Sequence, residues 1–409
     1  MTTDLRVLRD TEWDSWYGNL IRAFAGVDES PEEQALWKEL AHFNRSVGVW
    51  DGEECVGTAG AFRFRLTAPG GAPVPTAGVT MVGVAATHRR RGLLTSMMRR
   101  LLDDIRTWGE PLAVLTASEP AIYGRFGYGV ATHQLGAEID TGRVRLSVPP
   151  GTEDVRLRYA TPADAVDACE AVYARTVPGR PGMLAREPGW ERVALLDPPG
   201  DREGTSPLQC VVAERDGEVT GYARFRTKLG WGPSGHDGTV VLRDLAAVDP
   251  ATEAALWRFL SGIDLTSTLS LSNRPLDDAW QYLVSDIRRC RPRLRDGLHL
   301  RLVEVGAALQ ARTYQAPVDV VFEVEDTFCP WNEGRWRLTG DAKGASCART
   351  GDPADLALSV TELGSAYLGG VPLTALAAAG RVRELRQGAL AEASLAFGSA
   401  VAPWLPHGF

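Results

Sequence analysis

The sequence has no paired-cysteine signature. Its six cysteines, Cys55, Cys169, Cys210, Cys290, Cys329 and Cys347, are scattered through 409 residues without CxxC spacing. That argues against a zinc site and a disulfide framework, and fits a reducing compartment. Long apolar runs are missing too: no stretch of about 18 such residues occurs, so no membrane span is expected. The opening MTTDLRVLRDTEWDSW is polar and acidic, so a cytoplasmic location without a secretion signal is expected. There is no GxxxxGK[ST] and no GxGxxG after a first strand, which disfavours nucleoside-triphosphate and dinucleotide folds. No GxSxG elbow supports a serine hydrolase, since GPSGHDG is a glycine-rich turn. Positive charge is in deficit, with 44 Lys and Arg against 52 Asp and Glu for a net charge of -8. Nucleic acid is therefore not an expected partner, whereas cationic small molecules remain open. The six histidines are dispersed, and His88 reads as loop structure.

What is present belongs to a soluble globular protein, 44% hydrophobic and 23% charged. The length exceeds one core and implies several domains. The first third reads as α/β. A helix is expected from about Trp13 to Phe24. A second begins at SPEEQALWKEL, with Ser30 as N-cap, Pro31 at the first helical position and Glu33 completing a capping box. SVGVWDGEECVGTAGAFRFRL reads as a hairpin turned at DGE. The strand AGVTMVGVAA, the helix Leu93–Trp108, the strand LAVLTAS, a helical turn at EPAIYGRFGYG and a closing strand near VATHQLGAEI follow. After the turn-rich DTGRVRLSVPPGTED the pattern partly repeats: CVVAERDGEVTGYARFRTKL echoes the hairpin and TVVLRDLAAVDPATEAALWRFL the strand-to-helix passage. A third segment starts near Asp296 as a small α+β domain, with helices at VTELGSAYLGG, PLTALAAAG and GALAEASLAFGSA.

The chemistry concentrates in GVAATHRRRGLLTSMMRRLLDDI, Gly83 to Ile105. A strand entering a helix through a glycine turn leaves first-turn N–H groups unpaired, and the helix dipole adds roughly half a positive charge there. Arg89, Arg90 and Arg91 add cations that the dipole opposes, so an anionic ligand explains them. Gly92 lets a phosphate approach the backbone. The plainer reading is a basic surface turn. The second copy carries VDPATE at this place, with two acids and no arginine.

Arg89-Arg90-Arg91-Gly92-Leu93-Leu94 resembles the acetyl-coenzyme A loop of the GCN5-related N-acetyltransferases (GNAT), [QR]xxGx[GA], except that Leu94 replaces a small residue. With MVGV before it, ASE and IYGRFGYG after it and a C-terminal Phe, the array resembles the enhanced intracellular survival (Eis) family of actinobacterial N-acetyltransferases. The resemblance runs the full length. It implies an α/β (α+β) fold of two tandem GNAT-like mixed-sheet domains, 1–145 catalytic and 146–293 degenerate, plus a sterol-carrier-like α+β domain, 294–409. It implies a homo-oligomer, a hexamer in the family.

The resemblance also assigns roles. Backbone groups of Val82, Gly83 and Val84 would hold the pantetheine of acetyl-coenzyme A. Arg90, Arg91, Gly92, Leu93, Leu94 and Thr95 would cradle its phosphates, with Ser118 and Glu119 near the thioester; no metal is implied. Tyr123 matches the acid that protonates the departing thiolate, with Tyr128 as competitor and packing wedge. The α-carboxylate of Phe409 would serve the amine, in a tail where Pro403 and Pro406 stiffen and Trp404, Leu405 and Phe409 anchor. For an α-carboxyl of pKa near ~3.5, action through water or by positioning is expected rather than direct deprotonation. Asp28 and Glu29 are free to meet cations, whereas Glu32 and Glu33 are expected to serve capping. Phe24 and Trp37 resemble the amine-pocket wall, with core packing as the plainer alternative. The family has an acid before its last residue; here Gly408 and His407 stand instead. The implied function is N-acetylation of primary amines on polycationic acceptors, aminoglycosides first. The alternatives are a lysine, peptide or polyamine acceptor, and a lipid-binding module.

Overall fold

The DGE turn joins two strands because Gly52 supplies the positive φ (63°) that a tight reversal requires. The computed structural model describes residues 3–26, 29–233 and 235–409. β1 (Asp4–Val7) leads to α1 (Trp13–Ala23) and α2 (Pro31–Leu40). Ser30 accepts a hydrogen bond from the Glu33 N–H at 3.2 Å, and Pro31 opens α2, as the sequence signature requires. Next come β2 (Ser46–Asp51), β3 (Glu54–Thr67), β4 (Pro73–Val84), α3 (Leu93–Thr107), β5 (Leu112–Thr116) and β6 (Gly129–Val130). Met97, Met98, Leu101, Leu102 and Ile105 recur at helical spacing on α3 and are completely buried. Each such side chain is worth about 1.5–3 kcal/mol of burial, which fixes α3 against the sheet.

The chain forms two compact units, the first comprising Met1–Thr132, Gly297–Pro403 and Gly408–Phe409, the second His133–Asp296 and Trp404–His407. In the first unit the strand order is β1-β2-β3-β4-β5, then Leu298–Leu302, then β6. Leu298–Leu302 runs antiparallel to β5 and β6, while β4 and β5 are parallel. The strand expected to close this sheet near VATHQLGAEI does not do so. β7 (His133–Asp140) lies in the second unit, where Leu135, Ala137 and Ile139 join that unit's core. Its alternation marks one buried face but cannot say which sheet that face belongs to.

The second unit adds β8 (Arg156–Ala160), α4 (Val166–Thr176), β9 (Gln209–Arg215), β10 (Glu218–Lys228), β11 (Gly238–Ala247), α5 (Pro250–Ser261), β12 (Thr266–Arg274) and β13 (Arg293–Asp296). Their order is β13-β7-β12-β11-β10-β9-β8, with a single parallel pair, β11 and β12. The β9–β10 hairpin and the β11–α5 passage reproduce β2–β3 and β4–α3, which bears out the duplicated pattern. The C-terminal segment folds, within the first unit, as strands 344–349, 334–341, 318–325, 356–359 and 382–384 side by side. Helices Val360–Ala366, Leu373–Ala378 and Ala389–Phe397 accompany them.

Candidate active site

Strand geometry opens the site. The β4–β5 ladder runs only over Thr76–Gly78, paired with Leu112–Val114. Beyond it β4 bulges: Gly60 pairs with Thr80, but Thr58 pairs with Gly83, so β4 holds one residue more than β3. Met81 takes a left-handed φ of 53° there, and the Thr58 hydroxyl donates to its carbonyl at 2.9 Å. A bulge bends its strand. β4 and β5 therefore part, and a cavity of about 760 Å³ fills the gap.

One end of the cavity is basic. Arg89, Arg90, Gly92, Leu93, Leu94 and Thr95 line it. Arg90 (φ 63°) and Gly92 (φ 81°) are both left-handed, a strained state for arginine. Gly92 has no side chain to cap α3, and no cap bond is made there, so the first-turn N–H groups and the dipole are available to an anion. His88 is buried beneath, 3.2 Å from Asp51 and 2.8 Å from the Thr87 hydroxyl, and ties the loop to the β2–β3 turn. Arg91 is exposed and does not line the cavity, whereas Arg89 does.

Along the middle wall lie Val82, Gly83 and Val84. At Gly83 a Cβ would stand 3.0 Å from that of Ala23, so only glycine keeps α1 this close. Opposite them are Ser118, Glu119 and Tyr123, the last on the 3-10 turn Pro120–Phe126. Burial, with the Glu119 charge as a smaller cause, raises the Tyr123 phenol above its usual value. Tyr128 is not among the residues that line the cavity: it is buried, donates to the Met98 sulfur at 3.8 Å and packs edge-on against the Tyr123 ring at 6.1 Å.

The last residue of the chain lines the same cavity. The Phe409 ring packs edge-on against Phe64 at 5.1 Å, and the Thr80 hydroxyl donates to a Phe409 carboxyl-terminal oxygen at 3.1 Å. Gly78 underlies both rings, and a Cβ there would press on Phe64 and stand 3.1 Å from Phe409. In the second unit Trp404 and Leu405 are buried. The Trp404 indole donates to Asn273 at 2.9 Å, and Asn273 donates to the Leu405 carbonyl at 3.0 Å.

Glu29, Glu33, Trp37 and the half-exposed Phe24 line the remaining wall; Asp28 lies outside the described residues. Glu29 accepts from the Tyr17 hydroxyl, which burial foremost and Glu29 next push well above the phenol range. Glu33 was expected to serve capping. The Ser30 half of that capping box is present, from the Glu33 main-chain N–H, and the Glu33 residue also lines the cavity beside Tyr17. Tyr17, Thr80 and Arg125 line it too, and nothing in their local sequence distinguishes them from ordinary helix, strand and turn positions.

The corresponding end of the second unit is closed by its own side chains. Asp249 caps α5, accepting from the Thr252 N–H at 2.9 Å and the Thr252 hydroxyl at 2.6 Å. Pro250 offers no N–H there, and Arg215 stands 3.5 Å from Asp249. A pyrophosphate would have to displace that cap and face Asp249 and Glu253. Calorimetry should therefore give one coenzyme A per chain, and a stoichiometry of two would show that the second helix also binds.

Family models match an acetyltransferase (GNAT) domain at residues 4–131, a second acetyltransferase (GNAT) domain at 182–302 and a sterol carrier protein domain at 305–406. The chain is 75% identical to an uncharacterized N-acetyltransferase of Streptomyces coelicolor over 413 residues, covering 100% of both. It is 36% identical to the N-acetyltransferase Eis of Mycobacterium tuberculosis, over 95% of this chain and 96% of that one. Among solved structures, Eis1 from Mycobacterium abscessus matches with a TM-score of 0.85 at 34% identity, over 100% of both chains.

Proposed function

Because the chain belongs to the Eis family of GCN5-related N-acetyltransferases, we propose that its cavity moves acetyl from acetyl-coenzyme A to primary amines of a polycationic acceptor, an aminoglycoside first. GNAT enzymes use acetyl-coenzyme A, and the residues present suit it. The uncapped α3 terminus with Arg89 and Arg90 fits a pyrophosphate, and the β4 main chain beyond Gly78 fits the amides of a pantetheine arm. The observation that carries the reading is that an acid side chain, a chain-terminal carboxylate and an unpaired helix N-terminus line one cavity.

In this reading the Tyr123 hydroxyl, kept protonated by burial, donates its proton to the sulfur as the thioester C–S bond breaks. The α-carboxylate of Phe409, oriented by the Thr80 hydroxyl, holds the attacking amine and accepts its proton through water. Glu29, Glu33 and Glu119 give the acceptor wall negative charge, and Trp37 and Phe24 supply apolar faces over which cations can sit. The missing acid at Gly408 makes this wall less negative at the tail.

Free-thiol release from acetyl-coenzyme A should rise above the acceptor-free rate with kanamycin A, and less with spermidine or a lysine peptide. Thiol release only with the peptide would move the substrate class to proteins, and none with any acceptor would favour a lipid-binding role. We further propose a cytoplasmic homo-oligomer, a hexamer as in the family, which light scattering tests.

A further inference from the structure

Three glycines punctuate IYGRFGYG, and residues from the far end of the chain crowd the last two of them, Gly127 and Gly129. Gly127 has φ 84°, and a Cβ on it would fall on the Arg301 guanidinium and within 2.8 Å of Val360. At Gly129 it would fall on the Thr361 carbonyl and the Ser365 side chain. The Thr361 hydroxyl reaches the Gly124 carbonyl at 3.4 Å. Leu298–Leu302 and helix Val360–Ala366 thus press on the stretch that carries Tyr123.

Arg301 is the centre of this contact. It is wholly buried and donates from Nη1 to the Phe126 carbonyl at 2.6 Å, the last residue of the Tyr123 turn. Its Nη2 donates to Asp326 at 2.6 Å. Asp326 in turn accepts from the Cys329 N–H at 2.9 Å and from Asn332 at 3.0 Å, so the carboxylate cannot swing. The Arg301 Nε has no hydrogen-bond partner among the described residues. A buried ion pair costs about as much in desolvation as it returns, so stability alone gives little reason to place one here. Aiming one arginine N–H at a turn-terminal carbonyl gives that turn a fixed position instead.

We propose that Arg301, held by Asp326, is a positioning residue that sets the Tyr123 hydroxyl in the cavity, so that the C-terminal segment serves catalysis by buttressing the acid's turn. The inference rests on the reading of Tyr123 as the acid. Arg301 is not among the residues that line the cavity or its phosphate end. Its loss should therefore appear in turnover and not in cofactor binding.

The test is a double-mutant cycle of Arg301→Met with Tyr123→Phe, assayed by thiol release with kanamycin A, or spermidine if kanamycin A is not acetylated. Displacing a reacting group by about 1 Å costs up to ~10²-fold, so Arg301→Met should lower kcat about 10- to 100-fold. KM for acetyl-coenzyme A should stay within about twofold, because the phosphate contacts are untouched. On the Tyr123→Phe background the same change should cost almost nothing further, and Arg301→Lys, which keeps one donor, should recover part of the lost kcat. If Arg301→Met does not fold, Asp326→Asn replaces it, with a smaller kcat loss and the same non-additivity expected. Wild-type kcat in the arginine variant, or losses that multiply across the cycle, would overturn the positioning role. Full activity in Tyr123→Phe alone would instead overturn the assignment of the acid.

Discussion

Replacing Tyr123 with phenylalanine should lower kcat by about 10²-fold or more, the usual worth of a positioned acid, while acetyl-coenzyme A affinity changes little. The ring keeps its packing against Tyr128, so the folded state loses only one hydroxyl. The hydroxyl is needed when the sulfur departs and not when the cofactor binds, which is why the effect falls on turnover. Because burial and the Glu119 charge both hold the proton on, the alkaline limb of kcat should lie above pH ~10, the free phenol value. Glu119→Gln should move that limb downward. Tyr128→Phe should leave turnover nearly unchanged, since its hydroxyl is spent on Met98 inside the core. A larger turnover loss from Tyr128→Phe than from Tyr123→Phe would reassign the acid.

A tag after Phe409 should abolish transfer, by about 10²-fold or more if the carboxylate handles the amine's proton. It turns the α-carboxylate into a neutral amide but leaves the Phe409 ring free to pack on Phe64, and the Thr80 hydroxyl can still donate to the carbonyl. The tagged chain should therefore melt like the untagged one and still bind coenzyme A. One appended glycine is a sharper variant: it restores a carboxylate but carries it about 3.8 Å away, and activity should stay low. An N-terminal tag of equal length is the control. Full activity with the C-terminal tag would make the tail an anchor only, and Glu119 the next residue to examine as base.

What the sequence by itself determined is what short-range physics controls. The Ser30 cap, the Pro31 start, both DGE hairpins, the apolar stripe of α3 and the bare glycine before it all follow from interactions within one or two turns of chain. The basic strand-to-helix junction, and its replacement by an acidic, self-capped one in the second copy, were legible for the same reason.

Tertiary structure decided everything that depends on which segments meet. Alternation in HQLGAEI marks a strand with one buried face, but the second unit, not the first, supplies its neighbours. Leu298–Leu302 enters the first sheet beside β5 from about 180 residues away, a pairing set by ladder hydrogen bonds that leave no trace in local pattern. Arg89 and Arg90 line the cavity and Arg91 does not, a division set by the path of an irregular loop that has no sequence period, and Glu33 caps with its main chain while lining the cavity as well. Only packing between distant segments could seat Phe409 against Phe64 and Thr80, or set Arg301 behind Phe126. A side chain's reach is read from sequence, but what lies within that reach is chosen by the fold.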